Sequence, residues 1–116
     1  MITLAKKLAK KSKCRCKHGS VVAKGNRVYG MGCNSYKEHP TWGGGPLLTL
    51  HAEAAAIRDA QSRGVDLKGK NLYVVRVDAQ SALSKPCKSC QKLIESVGIR
   101  KVYYTDKEGN VIQTWP

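Results

Sequence analysis

Two short motifs, each at the start of a helix-like segment, constrain the fold of this chain more than any other feature. His51-Ala52-Glu53 opens an alanine-rich segment, and Pro86-Cys87-Lys88-Ser89-Cys90 opens a second helical segment. Each motif follows a loop, and a strand-like segment lies between the two helices. In such an α/β order the two helix starts face the same edge of the sheet. The sequence therefore predicts a fold in which His51, Cys87 and Cys90 converge.

These side chains have the chemistry of a catalytic zinc site. An imidazole and two thiolates are preferred zinc ligands, and three protein ligands leave a fourth tetrahedral position for water. The backbone N–H groups at the helix starts favour thiolates. Glu53, two residues after the histidine, can lie beside the open position and act as general base and acid. A structural zinc site or a redox C-x-x-C is the alternative, but neither explains Glu53 or the missing fourth ligand.

The remaining segments predict a single α/β domain over residues 1–116. Hydrophobic periodicity predicts three helices and five strands. The helices cover residues 4–13, 51–63 and 87–97, and the strands cover residues 20–24, 27–33, 71–77, 100–105 and 111–115. Turn residues predict antiparallel hairpins at both ends, and two strand–helix–strand passages predict parallel neighbours in the sheet centre. Residues 34–50 are predicted to be a loop because glycine and proline are dense there. We expect three layers, with a mixed five-stranded sheet, three helices and a C-terminal antiparallel hairpin.

The two motifs together form a known pattern. H-x-E followed downstream by P-C-x-x-C is the signature of zinc-dependent deaminases. The sequence resembles the cytidine/deoxycytidylate deaminase superfamily over most of its length, and Gly32-Cys33-Asn34 looks like that family's glycine-x-asparagine element. The resemblance implies a cytidine-deaminase-like fold and proton shuttling by Glu53. It also implies a zinc site formed by His51, Cys87 and Cys90.

Further substrate contacts follow from the same resemblance. It implies that Asn34 contacts the sugar or base of the substrate and that the backbone N–H of Ala52 helps to polarise the base. Trp42, in the glycine-rich loop before His51, can line a base pocket by stacking or can anchor the loop to the core. The implied reaction is hydrolysis of the exocyclic amine of a cytosine-type base.

Features of different family branches leave the substrate class open. The C-terminal hairpin resembles the free-nucleoside branch, whereas His51 stands where that branch usually has cysteine. Polynucleotide-editing members have an aromatic-rich run before P-C-x-x-C, and this chain has Ala82-Leu83-Ser84-Lys85 there. We expect a small-molecule cytosine nucleotide or nucleoside as substrate. Cytosine in single-stranded DNA or RNA is the alternative. The non-enzymatic alternative is a zinc-stabilised nucleic-acid-binding module, in which Glu53 would be idle.

Positive charge is concentrated in the first third of the chain. The net charge is +13, and ten of the 21 basic residues, but no acidic residue, precede Glu38. Such a block attracts phosphate on a nucleotide, a nucleic acid or a membrane surface. A solvated, highly charged face explains the same pattern equally well.

The composition favours a cytoplasmic protein without a membrane partner. No stretch approaches the ~20 apolar residues of a membrane span, and the N-terminus becomes basic before an apolar signal region can form. In a reducing cytosol we expect the five cysteines to be metal ligands or buried residues rather than disulfides. Cys14, Cys16 and His18 are either a second metal site or incidental side chains near a strand start. We also expect the chain to form a homo-oligomer.

Overall fold

The described part of the chain contains three helices and seven strands. The computed structural model describes residues 2–12, 17–37, 48–77, 84, 86 and 88–114. In chain order the elements are α1 (Ile2–Lys11), β1 (His18–Lys24), β2 (Arg27–Cys33), β3 (Ser35–Lys37), β4 (Leu48–Leu50), α2 (Ala52–Ser62), β5 (Asn71–Arg76), α3 (Lys88–Ser96), β6 (Lys101–Thr105) and β7 (Val111–Thr114).

Five of the strands form one mixed sheet in the order β2-β1-β5-β6-β7. β1 is antiparallel to both β2 and β5, β5 is parallel to β6, and β6 is antiparallel to β7. The predicted mixed sheet and C-terminal hairpin are confirmed. One prediction about the sheet centre is wrong: β2 and β5, which α2 connects, are not neighbours. The hairpin leaves the second edge of β1 open, and β5 pairs with that edge.

The sequence predicts a loop over residues 34–50, and this prediction is also wrong in part. β3 and β4 form a short antiparallel ladder in which Ser35 pairs with Leu50 and Lys37 pairs with Leu48. Both ends of the segment alternate apolar and polar residues, which favours extended backbone. The glycine-rich centre of the segment lies outside the described residues.

The sheet is covered on both faces because β1 buries both of its sides. Val21 and Ala23 pack with Ala5 of α1 and with Val75 in one cluster. On the opposite face, α2 and α3 pack on the sheet in a larger cluster of buried residues. This cluster includes Val22, Leu72, Val74 and Val102 of the strands, Ile57 of α2 and Ile94 of α3. Adjacent residues of a strand point to opposite faces, so the result is the expected three-layer arrangement, α1, sheet, then α2 with α3.

Two glycines of β2 allow α2 to lie directly on the strand. A Cβ atom at Gly32 would be 2.6 Å from Ala55 Cβ and 2.8 Å from Ala56 N, and one at Gly30 would collide with the Ala56 carbonyl oxygen. Because no side chain separates the two elements, the first turn of α2 comes close to the end of β2. This close approach positions the site described below.

Both α2 and α3 end as the sequence predicts. Gly64 follows α2 with φ 73°, and Gly98 follows α3 with φ 80°, the left-handed conformation in which glycine has no steric penalty. Among the described residues, no helix combines the length and the apolar character that crossing a bilayer requires.

Candidate metal and substrate site

Three side chains with metal-binding atoms meet at the starts of α2 and α3. His51 Nδ1 lies 3.2 Å from Cys90 Sγ, and the ligand atoms of His51, Glu53 and Cys90 all lie within 4.8 Å of one another. Glu53 and Cys90 are each 5% exposed, whereas His51 is open to solvent. In the described part of the chain, no other three His, Cys, Asp or Glu side chains come together in this way.

The local backbone explains why these side chains face one another. His51 is the N-cap of α2 in an extended conformation, with φ −70° and ψ 148°, and its ring makes no capping hydrogen bond to the helix. Its carbonyl accepts the first helical hydrogen bond, from Ala55 N at 3.0 Å. Glu53 and Cys90 lie in the first turns of α2 and α3. The unpaired N–H groups of a first turn favour a carboxylate and a thiolate.

The donor set and its spacing fit zinc. Zinc bonded tetrahedrally to nitrogen at ~2.0–2.1 Å and to sulfur at ~2.3 Å would hold these atoms about 3.6 Å apart. The 3.2 Å between His51 Nδ1 and Cys90 Sγ requires only a small opening to reach that value. Cys87, the third predicted ligand, lies outside the described residues. Its chain neighbours are held near Cys90, because Gln91 Nε2 of α3 donates a 2.9 Å hydrogen bond to Pro86 O.

Glu53 is a nearly buried carboxylate that forms no ion pair with another described residue. Between described residues, the only ion pair joins Arg63 to Asp59, two turns further along α2. A buried charge without a structural partner is costly, and such a group is a candidate for a functional role.

Asn34 is held by a network of hydrogen bonds at the end of β2. Its Oδ1 accepts from the His18 backbone N–H at 3.0 Å and from the Ser12 hydroxyl at 2.6 Å. The same hydroxyl lies 2.9 Å from Asn34 O, so its single proton is shared. Asn34 N in turn donates to His18 O at 3.2 Å. With Oδ1 occupied in this way, the side-chain amide of Asn34, which is 8% exposed, has a fixed orientation.

The β3–β4 ladder brings Asn34 and His51 to the same place. Ser35, which follows Asn34, pairs with Leu50, which precedes His51. The next position of this antiparallel register would set Asn34 opposite His51. The ladder therefore joins the predicted substrate-binding residue to the predicted metal ligand, although 17 positions separate them in the sequence.

The other predicted site residues are placed as follows. Ala52 is the first residue of α2 and is fully buried, so its N–H group has no partner within the helix. Trp42 lies outside the described residues, as do Cys14 and Cys16 of the possible second metal group. The backbone of His18, the last member of that group, pairs with Asn34.

Ser84, which precedes Pro86 by two positions, has a structural role that sequence reasoning missed. Its hydroxyl lies 2.8 Å from Val74 O, 2.8 Å from Thr105 Oγ1 and 2.6 Å from the Thr105 N–H, and its own N–H donates to Thr105 O at 2.9 Å. The β5–β6 ladder ends at Val74 and Tyr104, so Ser84 takes the place of a β5 partner for Thr105, whose other edge pairs with Val111 of β7. It thereby anchors the segment that enters α3.

Comparisons with known proteins agree with this geometry. The chain matches the cytidine and deoxycytidylate deaminase zinc-binding region over residues 1–106. No curated protein sequence matches it significantly.

Several solved structures are similar to the chain, including the following three. The apo dCMP deaminase of the cyanophage S-TIM5 is 26% identical, with a TM-score of 0.70 over 90% of this chain and 78% of that one. A cytidine deaminase from Burkholderia pseudomallei is 24% identical, with a TM-score of 0.74 over 98% of this chain and 88% of that one. The diaminohydroxyphosphoribosylaminopyrimidine deaminase/5-amino-6-(5-phosphoribosylamino)uracil reductase of Thermotoga maritima is 34% identical, with a TM-score of 0.51 over 87% of this chain and 26% of that one.

The family match covers most of the chain, and the Burkholderia structure shares its fold. The matched family region is a zinc-binding region, and the group of His51, Glu53 and Cys90 can hold a metal, so zinc is the cofactor. This chain belongs to the cytidine and deoxycytidylate deaminase family.

Proposed function

We propose that this protein hydrolyses the exocyclic amine of a cytosine-type base in a free nucleotide or nucleoside, releasing ammonia and leaving a uracil-type base. The single observation that carries the proposal is the grouping of the Glu53 carboxylate with His51 Nδ1 and Cys90 Sγ within 4.8 Å. A nucleotide substrate is supported by the cyanophage S-TIM5 relative, which is a dCMP deaminase. The assignment extends the family's chemistry to particular residues of this chain.

His51, Cys87 and Cys90 are the residues to which we assign the zinc. One imidazole and two thiolates balance the charge of the ion and leave one position open. Zinc, when bound, supplies a Lewis acid that makes water a nucleophile near neutral pH. The exposed His51 and the buried Cys90 hold this centre at the boundary between solvent and core.

Glu53 is the residue to which we assign the proton transfers. Its carboxylate accepts a proton from the attacking water and gives it to the ring nitrogen beside the reacting carbon. It then accepts the remaining proton of the newly added hydroxyl and gives it to the departing amine. Near-complete burial keeps bulk water from competing for these protons, and the first turn of α2 stabilises the charged carboxylate. Water and base enter, and the deaminated base and ammonia leave.

Asn34, Ala52 and Trp42 are the residues to which we assign substrate binding. Ser12 and His18 hold Asn34 Oδ1, which fixes the orientation of the amide, and we assign its Nδ2 group to donate to a sugar or base of the substrate. The N–H of Ala52, at the positive end of α2, polarises the base carbonyl or ring nitrogen. The Trp42 ring stacks on the base.

A second candidate is deamination of cytosine within single-stranded DNA or RNA. The four exposed lysines of α1 favour it, because they attract a phosphate backbone. A non-enzymatic zinc module is less well supported, because it gives the buried Glu53 carboxylate no role.

The test is to offer the purified, zinc-loaded protein cytidine, deoxycytidine, their monophosphates and a cytosine-containing single strand, and to measure ammonia and the uracil product. We expect turnover of a free nucleotide or nucleoside, and Glu53→Gln should lower kcat by at least about 100-fold while zinc content is kept. Glu95→Gln is the matched control, because Glu95 is an exposed glutamate of α3. Equal turnover in the two variants would refute the role of Glu53, and activity on the single strand alone would favour the second candidate.

A further inference from the structure

α1 presents four positive charges to solvent on one side only. Ala5 and Ala9 are fully buried against the sheet, whereas the four lysines of the helix are all exposed. These are Lys6, Lys7, Lys10 and Lys11. At about 100° per residue, the lysines occupy an arc of about 140° on the side opposite the two alanines. We call this surface the α1 lysine face.

The fold separates this face from the six acidic residues that the structure describes. No acidic residue occurs from Ile2 to Lys37. The described acidic residues belong to α2 and α3, on the other face of the sheet, or to the turns after α2 and β6; they are Glu53, Asp59, Asp66, Glu95, Asp106 and Glu108. Between described residues, the only ion pair is internal to α2. Among the residues that the structure describes, no acidic side chain lies on the layer of the α1 lysine face.

The four charges act together at physiological ionic strength. Lys6 and Lys11 are about 7.5 Å apart along the helix axis, which is less than the ~8 Å Debye length. Salt therefore does not screen one lysine fully from the next. A surface of this kind binds a chain of phosphates more tightly than a single phosphate, because each phosphate that is neutralised releases counterions.

We infer that the α1 lysine face docks the phosphate backbone of a single-stranded nucleic acid. This binding activity goes beyond the proposed function and does not depend on it. An anionic membrane fits the face less well, because helices that lie in a bilayer insert their apolar side, and here that side is buried under the sheet.

The position of the face gives such docking a consequence for the site. Ser12 directly follows α1, and its hydroxyl holds Asn34 at 2.6 Å. The C-terminal end of the face therefore lies at the same edge of the sheet as Asn34 and His51. A bound strand would run towards the catalytic centre without forming part of it.

The test measures binding of a single-stranded oligonucleotide made only of thymidine, about 20 nucleotides long. It contains no cytosine, so failure of the proposed deaminase function would leave the result unchanged. One variant replaces the four lysines of the face with glutamine. A matched control replaces four exposed basic residues elsewhere with glutamine, namely Lys68, Lys92, Arg100 and Lys107. Each variant removes four of the +13 charges, so a difference between them reports position and not net charge.

We expect the slope of log affinity against log salt concentration to become shallower by up to about 3 in the α1 variant, because each phosphate contact with a single strand contributes ~0.7 to that slope. In the control variant the slope should change little. Between 50 and 200 mM salt, the wild-type affinity then falls up to about 50-fold more than that of the α1 variant. A variant with only Lys6 and Lys10 replaced should give about half of the change in slope, and far-UV circular dichroism checks that each variant is folded.

Three results would overturn the inference. Equal weakening by the α1 variant and the control would mean that net charge alone attracts the strand. Unchanged binding by a folded α1 variant would mean that the α1 lysine face contacts only water and ions and does not bind the strand. Tighter, lysine-dependent binding to phosphatidylserine vesicles than to the oligonucleotide would assign the face to a membrane surface instead.

Discussion

Ser84→Ala is expected to weaken both the fold and the metal site, although Ser84 ligates nothing. The Ser84 hydroxyl accepts from the Thr105 N–H at 2.6 Å and lies 2.8 Å from Val74 O. Ser84 is 2% exposed and Thr105 is 1% exposed, so water does not reach these groups. The volume that the removed hydroxyl leaves is smaller than the ~30 Å³ that one water molecule occupies in the liquid, so no water molecule can replace the hydroxyl.

The loss of stability follows from the groups left behind. A buried N–H without an acceptor costs about 1–3 kcal/mol, and the lost hydrogen bond to Val74 O contributes about 0.5–1.5 kcal/mol. The free energy of unfolding should therefore fall by about 1.5–4.5 kcal/mol. For a chain of 116 residues, total stability is about 6–17 kcal/mol, so the variant loses a substantial part of it.

Urea denaturation of the zinc-loaded protein measures this loss. With an m-value of about 2 kcal/mol/M, the midpoint should fall by about 1–2 M. Ser96→Ala is the matched control, because Ser96 is an exposed serine of α3 whose hydroxyl donates only to Leu93 O in its own helix. Its unfolding free energy should change by less than about 0.5 kcal/mol.

A second measurement links Ser84 to the metal. Because Ser84 anchors the segment that enters α3, its loss should weaken zinc affinity by about 10- to 100-fold, as expected for groups that orient metal ligands. Competition with a chelator under native conditions measures this affinity. A Ser84→Ala midpoint equal to that of Ser96→Ala would refute the packing argument, and unchanged zinc affinity would refute the link to the site.

Three further predictions concern the metal, the charged helix and pH. Purified protein should carry about one zinc per chain, and Cys87→Ala or Cys90→Ala should lose it together with much of the stability, because zinc binding is coupled to folding; full zinc retention in both variants, measured by atomic absorption, would disprove the ligand assignment. Replacing all four α1 lysines with glutamine should leave turnover of a cytosine monophosphate nearly unchanged, since one or two phosphate contacts near the pocket suffice; a strong lysine-dependent salt effect on catalysis would contradict this. Burial and the neighbouring Tyr103 raise the pKa of Tyr73 above its ordinary value of 10.0. The contribution of the neutral Tyr73 to folding stability is therefore full below about pH 10 and is lost as the pH rises beyond it. Tyr73→Phe should reduce this alkaline loss of stability, measured in thermal melts.

Much of the local structure could be predicted because its causes are local. The Gly25-Asn26 turn joins β1 to β2 as predicted, and Gly64 and Gly98 end their helices. Periods of two and 3.6 residues located the five strands of the main sheet and the three helices, with ends that differ by a few residues. The spacing of H-x-E and P-C-x-x-C predicted the metal chemistry, because few arrangements use those residue types at helix starts.

The sequence by itself therefore determined the helices, the main strands, the hairpins and the residue types that can bind zinc. Only the tertiary structure decided that β5 pairs with β1, that the β3–β4 ladder brings Asn34 beside His51, and that Ser84 supports Thr105. Each of these outcomes depends on which edge or polar group remains unpaired after the neighbouring elements have formed. Residues far apart in the chain meet there, so no local period or turn residue encodes the contact, and the need to pair every buried N–H and C=O group selects it.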